Sequence, residues 1–171
     1  MSATLIKHSP WKPADVERLC GLAPVALRDL RRRGLAPESE GRALPLNSVA
    51  QLLLQTELAK HGFGPKSVQH FAEKHASAVV AFALDRPTSW TDQSAYLSGK
   101  KSISKRKTGR FAIFTNSADV SDARETLPEL QGAKGPAVMT VVDLMGLGDR
   151  LADGLMARPS HASVIGKVLE E

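Results

Sequence analysis

The sequence predicts an α+β protein with a mainly α-helical N-terminal part, residues 1–86, and a small C-terminal α/β part, residues 87–171. Three observations carry this. Up to residue 85 the apolar side chains recur three and four apart, in segments opened by proline and closed by glycine. The run DRPTSW then punctuates the chain and places a domain boundary near residues 86–91. Beyond it, short runs rich in β-branched and aromatic residues alternate with a helical pattern.

The elements follow in order. Pro13, with Asp15 and Glu17 near the positive end of the helix dipole, opens a short helix carrying Val16 and Leu19, and Gly21 ends it. Pro24 opens a second helix, APVALRDLRRRGL, stopped by Gly34. Leu27 and Leu30 are expected to point inward, with Arg28, Arg31 and Arg32 on the opposite flank. Two short helices around a CGLA turn make a helix-turn-helix. The segment LAPESEGRALPL has no helical period and reads as a turn between two short extended arms, a small wing. Asn47 or Ser48 is expected to cap a third helix with Val49, Leu52, Leu53 and Leu58 as its stripe. Gly62 and Gly64 break it, and Pro65 starts a fourth helix to about Leu84, with Val68, Phe71, Ala72, Val79 and Phe82 in register.

In the C-terminal part SAYLS, RFAIFT and AVMTVV are the predicted strands, giving a sheet of at least three. DLMGLGDRLADGLM follows as an amphipathic helix with Leu144, Leu147, Leu151 and Leu155 inward, in spite of its interior glycines.

Composition excludes several classes. No run approaches the roughly 18 apolar residues of a membrane span, and the N-terminus lacks the apolar core of a secretory signal, so no membrane partner and a cytoplasmic location are expected. The single cysteine, Cys20, rules out an internal disulfide framework and reads as a small core residue. The net charge is +5, and residues 1–86 hold most of the excess, with twelve Lys and Arg against eight Asp and Glu. A second concentration lies at Lys100, Lys101, Lys105, Arg106, Lys107 and Arg110, with no acid among them. Such a balance favours a polyanionic partner.

In a helix-turn-helix the second helix enters the DNA major groove and its first turns meet base edges. Pro24, Val25 and Ala26 are small or apolar, suited to close approach or to a thymine methyl. Arg28 is the candidate for guanine, since a guanidinium donates two parallel hydrogen bonds to O6 and N7. Arg31, Arg32 and Arg33 are candidate phosphate contacts, joined by Arg42 on the wing and Lys12 at the first helix. The basic segment from Lys100 to Arg110 reads equally as an accessory arm on DNA or as a solvated loop between strands.

The order helix, CGLAP turn, ALR at 26–28, RRGL at 32–35, Arg42 in a wing and ELAKHGFGPKSV at 57–68 resembles the MerR-type winged-helix DNA-binding domain over roughly residues 11–75. That resemblance implies a sequence-specific double-stranded DNA-binding transcription regulator, working as a homodimer, with the C-terminal domain serving dimerisation or a protein partner. Asp29 and Leu30 stand where the family commonly has aromatic residues, and no long dimer coil or cysteine-bearing metal loop is present. Metal sensing is therefore not implied. The alternative within DNA binding is a phage or mobile-element protein of excisionase, AlpA-like or terminase small-subunit type, acting as an assembly adaptor.

Nothing points to an enzyme, a cofactor or a metal. His70 and His75 are five apart, off the four-residue spacing of a helical zinc pair, and with His61 they read as surface or capped side chains. GAKG at 132–135 and GLGD at 146–149 lack the spacing and trailing Lys-Ser/Thr of a phosphate loop. Asp143, after an apolar strand, reads as a helix cap.

Overall fold

A computed structural model describes residues 11–37, 39, 43–85, 109–114 and 140–157. Among these the chain forms five helices and one two-stranded antiparallel sheet: α1 Pro13–Cys20, α2 Pro24–Arg32, α3 Leu46–Lys60, α4 Pro65–Asp85, β1 Phe111–Phe114, β2 Thr140–Asp143 and α5 Leu144–Met156. The expected strand SAYLS and the segment GAKG lie outside the described residues.

α1 starts where Pro13 sets the helical φ and Asp15 accepts from the Lys12 backbone N–H at 3.3 Å. It stops at Gly21, whose φ of 69° is left-handed and lets its N–H reach back to the Glu17 carbonyl at 2.8 Å. α2 ends by the same chemistry. Gly34 takes a φ of 67°, and the Leu35 N–H closes on the Leu30 carbonyl at 2.9 Å, so the arginine-rich turn is terminated by geometry rather than by fraying.

α3 corrects the expected start. Its N-cap is Pro45 rather than Asn47 or Ser48, and Ser48 is buried inside the first turn. The cause lies one residue upstream. Leu44 forms an antiparallel bridge with Trp11, with N–H to carbonyl distances of 2.9 and 3.0 Å, so the chain must turn into the helix immediately afterwards. α3 is also buried on more than one stripe: Ala50, Gln51, Leu54 and Gln55 join Val49, Leu52, Leu53 and Leu58. It is the central element, packed by α1, α4 and α5. Gln55 ties it to the chain leaving α2 by donating from Nε2 to the Leu35 carbonyl at 3.2 Å.

α4 buries Val68, Phe71, Ala72, Val79 and also Ala76 and Ala83, while Phe82 is only half-buried. Of the two readings of His75, surface or capped, burial removes the first: it is 4% exposed and its ring lies 4.5 Å from that of Phe71. His61 and His70 are exposed. The β1–β2 pair runs from Phe111 opposite Asp143 to Phe114 opposite Thr140. Alternation turns Ala112 and Phe114 inward, and Phe114 meets Phe63 and Phe71 edge-on at 4.7 and 5.3 Å.

α5 begins with the Asp143 carboxylate accepting from the Gly146 N–H at 3.1 Å, and it buries Leu144, Leu147, Leu151 and Leu155. Its glycines mark the close contacts. A Cβ at Gly148 would stand 2.5 Å from the Phe82 Cβ, and one at Gly154 would stand 3.0 Å from Leu19 and 3.2 Å from the Trp11 ring. The boundary expected at residues 86–91 lies outside the described residues, yet the elements on its two sides share one hydrophobic core. Cys20 belongs to that core, and burial pushes its thiol up to about 12 against the lowering pull of Arg150 and Lys60.

Candidate nucleic-acid interface

α2 owes its seat to one side chain. Leu27 is 2% exposed and pins the helix to the core, so the residues flanking it project outward. Val25, at 71%, is an exposed large apolar side chain, and Ala26, Arg28, Arg32 and Arg33 are exposed with it. Pro24 is half-buried and Lys12, across the turn, is exposed. The first turn of α2 holds no acidic residue and no side-chain cap, so the positive end of the helix dipole is left open to an anion.

Arg31 does not share this face. It stands four residues after Leu27, one helical turn on, and therefore follows Leu27 inward. The residue is half-buried, and its Nε and Nη2 are shielded from solvent without a hydrogen-bond partner. Its partial burial sets it apart from Arg28 and Arg32, with which the Leu27–Leu30 stripe places it on one flank.

The remaining arginines are partly engaged. Asp29 accepts from Arg32 at 2.9 Å and lies 3.6 Å from Arg33, an acid set between two cations on the outer surface. Arg28 carries no such tether among these pairs and is the free guanidinium nearest the helix start. The Trp11–Leu44 bridge returns the chain that follows α2 to Trp11, two residues before α1. That pairing is not legible in helical or strand period; its trace is an apolar residue shortly before each of two prolines, Trp11 before Pro13 and Leu44 before Pro45. Arg42 lies outside the described residues.

Of the second basic concentration, Lys100, Lys101, Lys105, Arg106 and Lys107 lie outside the described residues. Arg110 is committed elsewhere. It grips Asp143 with two hydrogen bonds, 3.1 and 2.8 Å, and its guanidinium sits 4.8 Å from the centre of the Phe111 ring. The hydrogen bond from Arg110, outweighing the cost of partial burial, holds the Asp143 carboxyl below its ordinary value. Asp143 is thus a cap, as expected, and also the partner of Arg110 rather than a lone carboxylate.

A groove of about 310 Å³ lies between the end of α3, β2 and the start of α5. Two of its charges answer one another, Arg150 reaching Glu57 at 2.7 Å, and Lys60 from outside the groove reaches the same carboxylate at 2.8 Å. Burial works against the ionised Glu57, but these two cations together hold its carboxyl below the usual value. Among the described residues no group of three His, Cys, Asp or Glu side chains converges on one point, and no helix is long and apolar enough to cross a membrane. No family model, curated protein or solved structure matches the chain.

Proposed function

We propose that this protein is a sequence-specific double-stranded DNA-binding regulator in which α1 and α2 act as a helix-turn-helix and the chain after Gly34 as a wing. The observation that carries the reading is the outward face of α2, where Val25, Ala26, Arg28 and Arg32 project while Leu27 anchors the helix. Two further features support it: the acid-free start of α2, and the bridge that brings the end of the wing segment back to Trp11. Arg28 is assigned to a guanine edge and Arg32, Arg33 and Lys12 to phosphates. One such module covers little surface, so a symmetric homodimer on two half-sites is the expected working form.

The test is a salt titration on duplex DNA. A dimer neutralising about six to eight phosphates gives a slope of log K against log salt near −5 to −7. A slope near zero sinks the proposal. Within it, Arg28→Ala relaxes sequence preference, whereas Arg32→Ala weakens all sequences alike.

A further inference from the structure

We infer that Val25 is a specificity determinant that reads the 5-methyl group of a thymine, one base pair from the guanine assigned to Arg28. The inference rests on the DNA-binding reading above and deepens it. Among the described residues only Val25 and Val141 are exposed large hydrophobic side chains, and Val25 is the more exposed of the two. It is set among cations, with Arg28 one turn on and Arg32 beyond it. Where such a cationic face seats against a polyanion, an apolar side chain within it is best matched by an apolar contact. The major-groove edge of DNA offers one, the thymine methyl.

Geometry narrows the choice. Val25 and Arg28 are three residues apart, on one face of α2, and about 4.5 Å apart along the helix axis. Adjacent base pairs are separated by about 3.4 Å along the duplex. On a helix seated in the major groove, side chains three apart meet successive bases, as positions −1, 3 and 6 of a zinc-finger helix do. Stiffness adds to the fit, because a β-branched side chain in a helix keeps one dominant rotamer and presents its methyl groups in a fixed place. Ala26 beside it is too small to hold the groove floor away.

The experiment begins with duplexes enriched from a random pool by the intact chain. In the tightest duplex each thymine is replaced in turn by deoxyuridine, which removes only the methyl group, and each guanine by 7-deazaguanine. Binding is measured for the natural sequence, Val25→Ala and Arg28→Ala. One deoxyuridine is expected to weaken the natural protein about fourfold, the worth of one buried methyl. The same replacement leaves Val25→Ala unaffected, and the position adjoins the guanine whose 7-deaza replacement no longer matters to Arg28→Ala. If no thymine methyl matters, or if its loss weighs equally on Val25→Ala, the inference is overturned while DNA binding stands. Binding without any enriched sequence overturns it too, leaving non-specific binding or a protein contact for Val25. No binding to any duplex removes the DNA-binding reading and this inference together.

Discussion

Asp29 accepts a hydrogen bond from Arg32 at 2.9 Å on the outer surface of α2, where Arg32 is 82% exposed and Asp29 43%. A carboxylate in this position competes with phosphate for the guanidinium. Asp29→Asn is expected to raise affinity for a random-sequence duplex roughly two- to fivefold at low salt, the scale of one exposed ion pair. The helix loses no more than about 0.5 kcal/mol. Fluorescence anisotropy on a labelled duplex measures it, and a fall in affinity would mean that Asp29 aims the arginines rather than restraining them.

Arg31 is the reverse case, a cation turned inward with two nitrogens lacking partners. An unsatisfied buried polar group costs about 1–3 kcal/mol, whereas an unbranched apolar side chain fills similar space without that cost. Arg31→Met should therefore stabilise the fold by about 1 kcal/mol in urea unfolding and change duplex affinity less than Arg32→Ala does. Weakened binding equal to that of Arg32→Ala, at unchanged stability, would return Arg31 to the phosphate-facing set.

Two glycines of α5 separate propensity from packing. Alanine is favoured over glycine inside a helix by about 1 kcal/mol, but at Gly148 its Cβ would press the Phe82 Cβ and lie 3.0 Å from the backbone of Val79 and Ala83. Backbone cannot step aside, so Gly148→Ala is expected to destabilise by about 1–3 kcal/mol. Gly146→Ala meets only the Asp143 side chain at 3.4 Å and should stay within about 0.5 kcal/mol of the natural sequence. Denaturant midpoints for the pair decide it; equal behaviour would refute close α4–α5 packing.

Acid should weaken the β1–α5 junction. A carboxyl held below its unfolded value contributes stability fully above the unfolded pKa, about 3.9 for Asp, and loses it as pH falls through the folded one. Asp143 is in this state through Arg110 and the Gly146 N–H. Asn is also a good N-cap, so Asp143→Asn removes the ion pair while keeping the helix start. The variant is expected to be less stable at pH 7 and to converge with the natural sequence below about pH 4. Both partners are more than a third exposed, so the gap is small. Curves that stay parallel down to pH 3 would remove the pair from the acid response.

Much of the helical part was legible because its punctuation is local. Pro13, Pro24 and Pro65 start helices, and Gly21 and Gly34 stop them through a backbone conformation few other residues adopt. The inward leucines of α5 and the strand around Ile113 were equally plain from period. What escaped was set by distant residues. Trp11 is paired with Leu44 across more than thirty positions, and this moves the cap of α3 from Asn47 or Ser48 to Pro45. His75 is buried by Phe71 and its neighbours, a matter of which helix packs where. Arg31 falls between the two flanks of α2: the Leu27–Leu30 stripe places it outward, while its four-residue spacing from Leu27 half-buries it.

Gly154 carries the last consequence. It lets α5 lie against Leu19 and the Trp11 ring, while Gly148 beds the same helix on Phe82 and Ala83. The arginine-bearing helix is therefore not a transplantable cassette. Ending the chain after α4 would wet the Trp11 indole and strip an apolar flank bare, leaving a sticky fragment in place of a portable module. Any attempt to move α2 onto another protein has to carry α5 along.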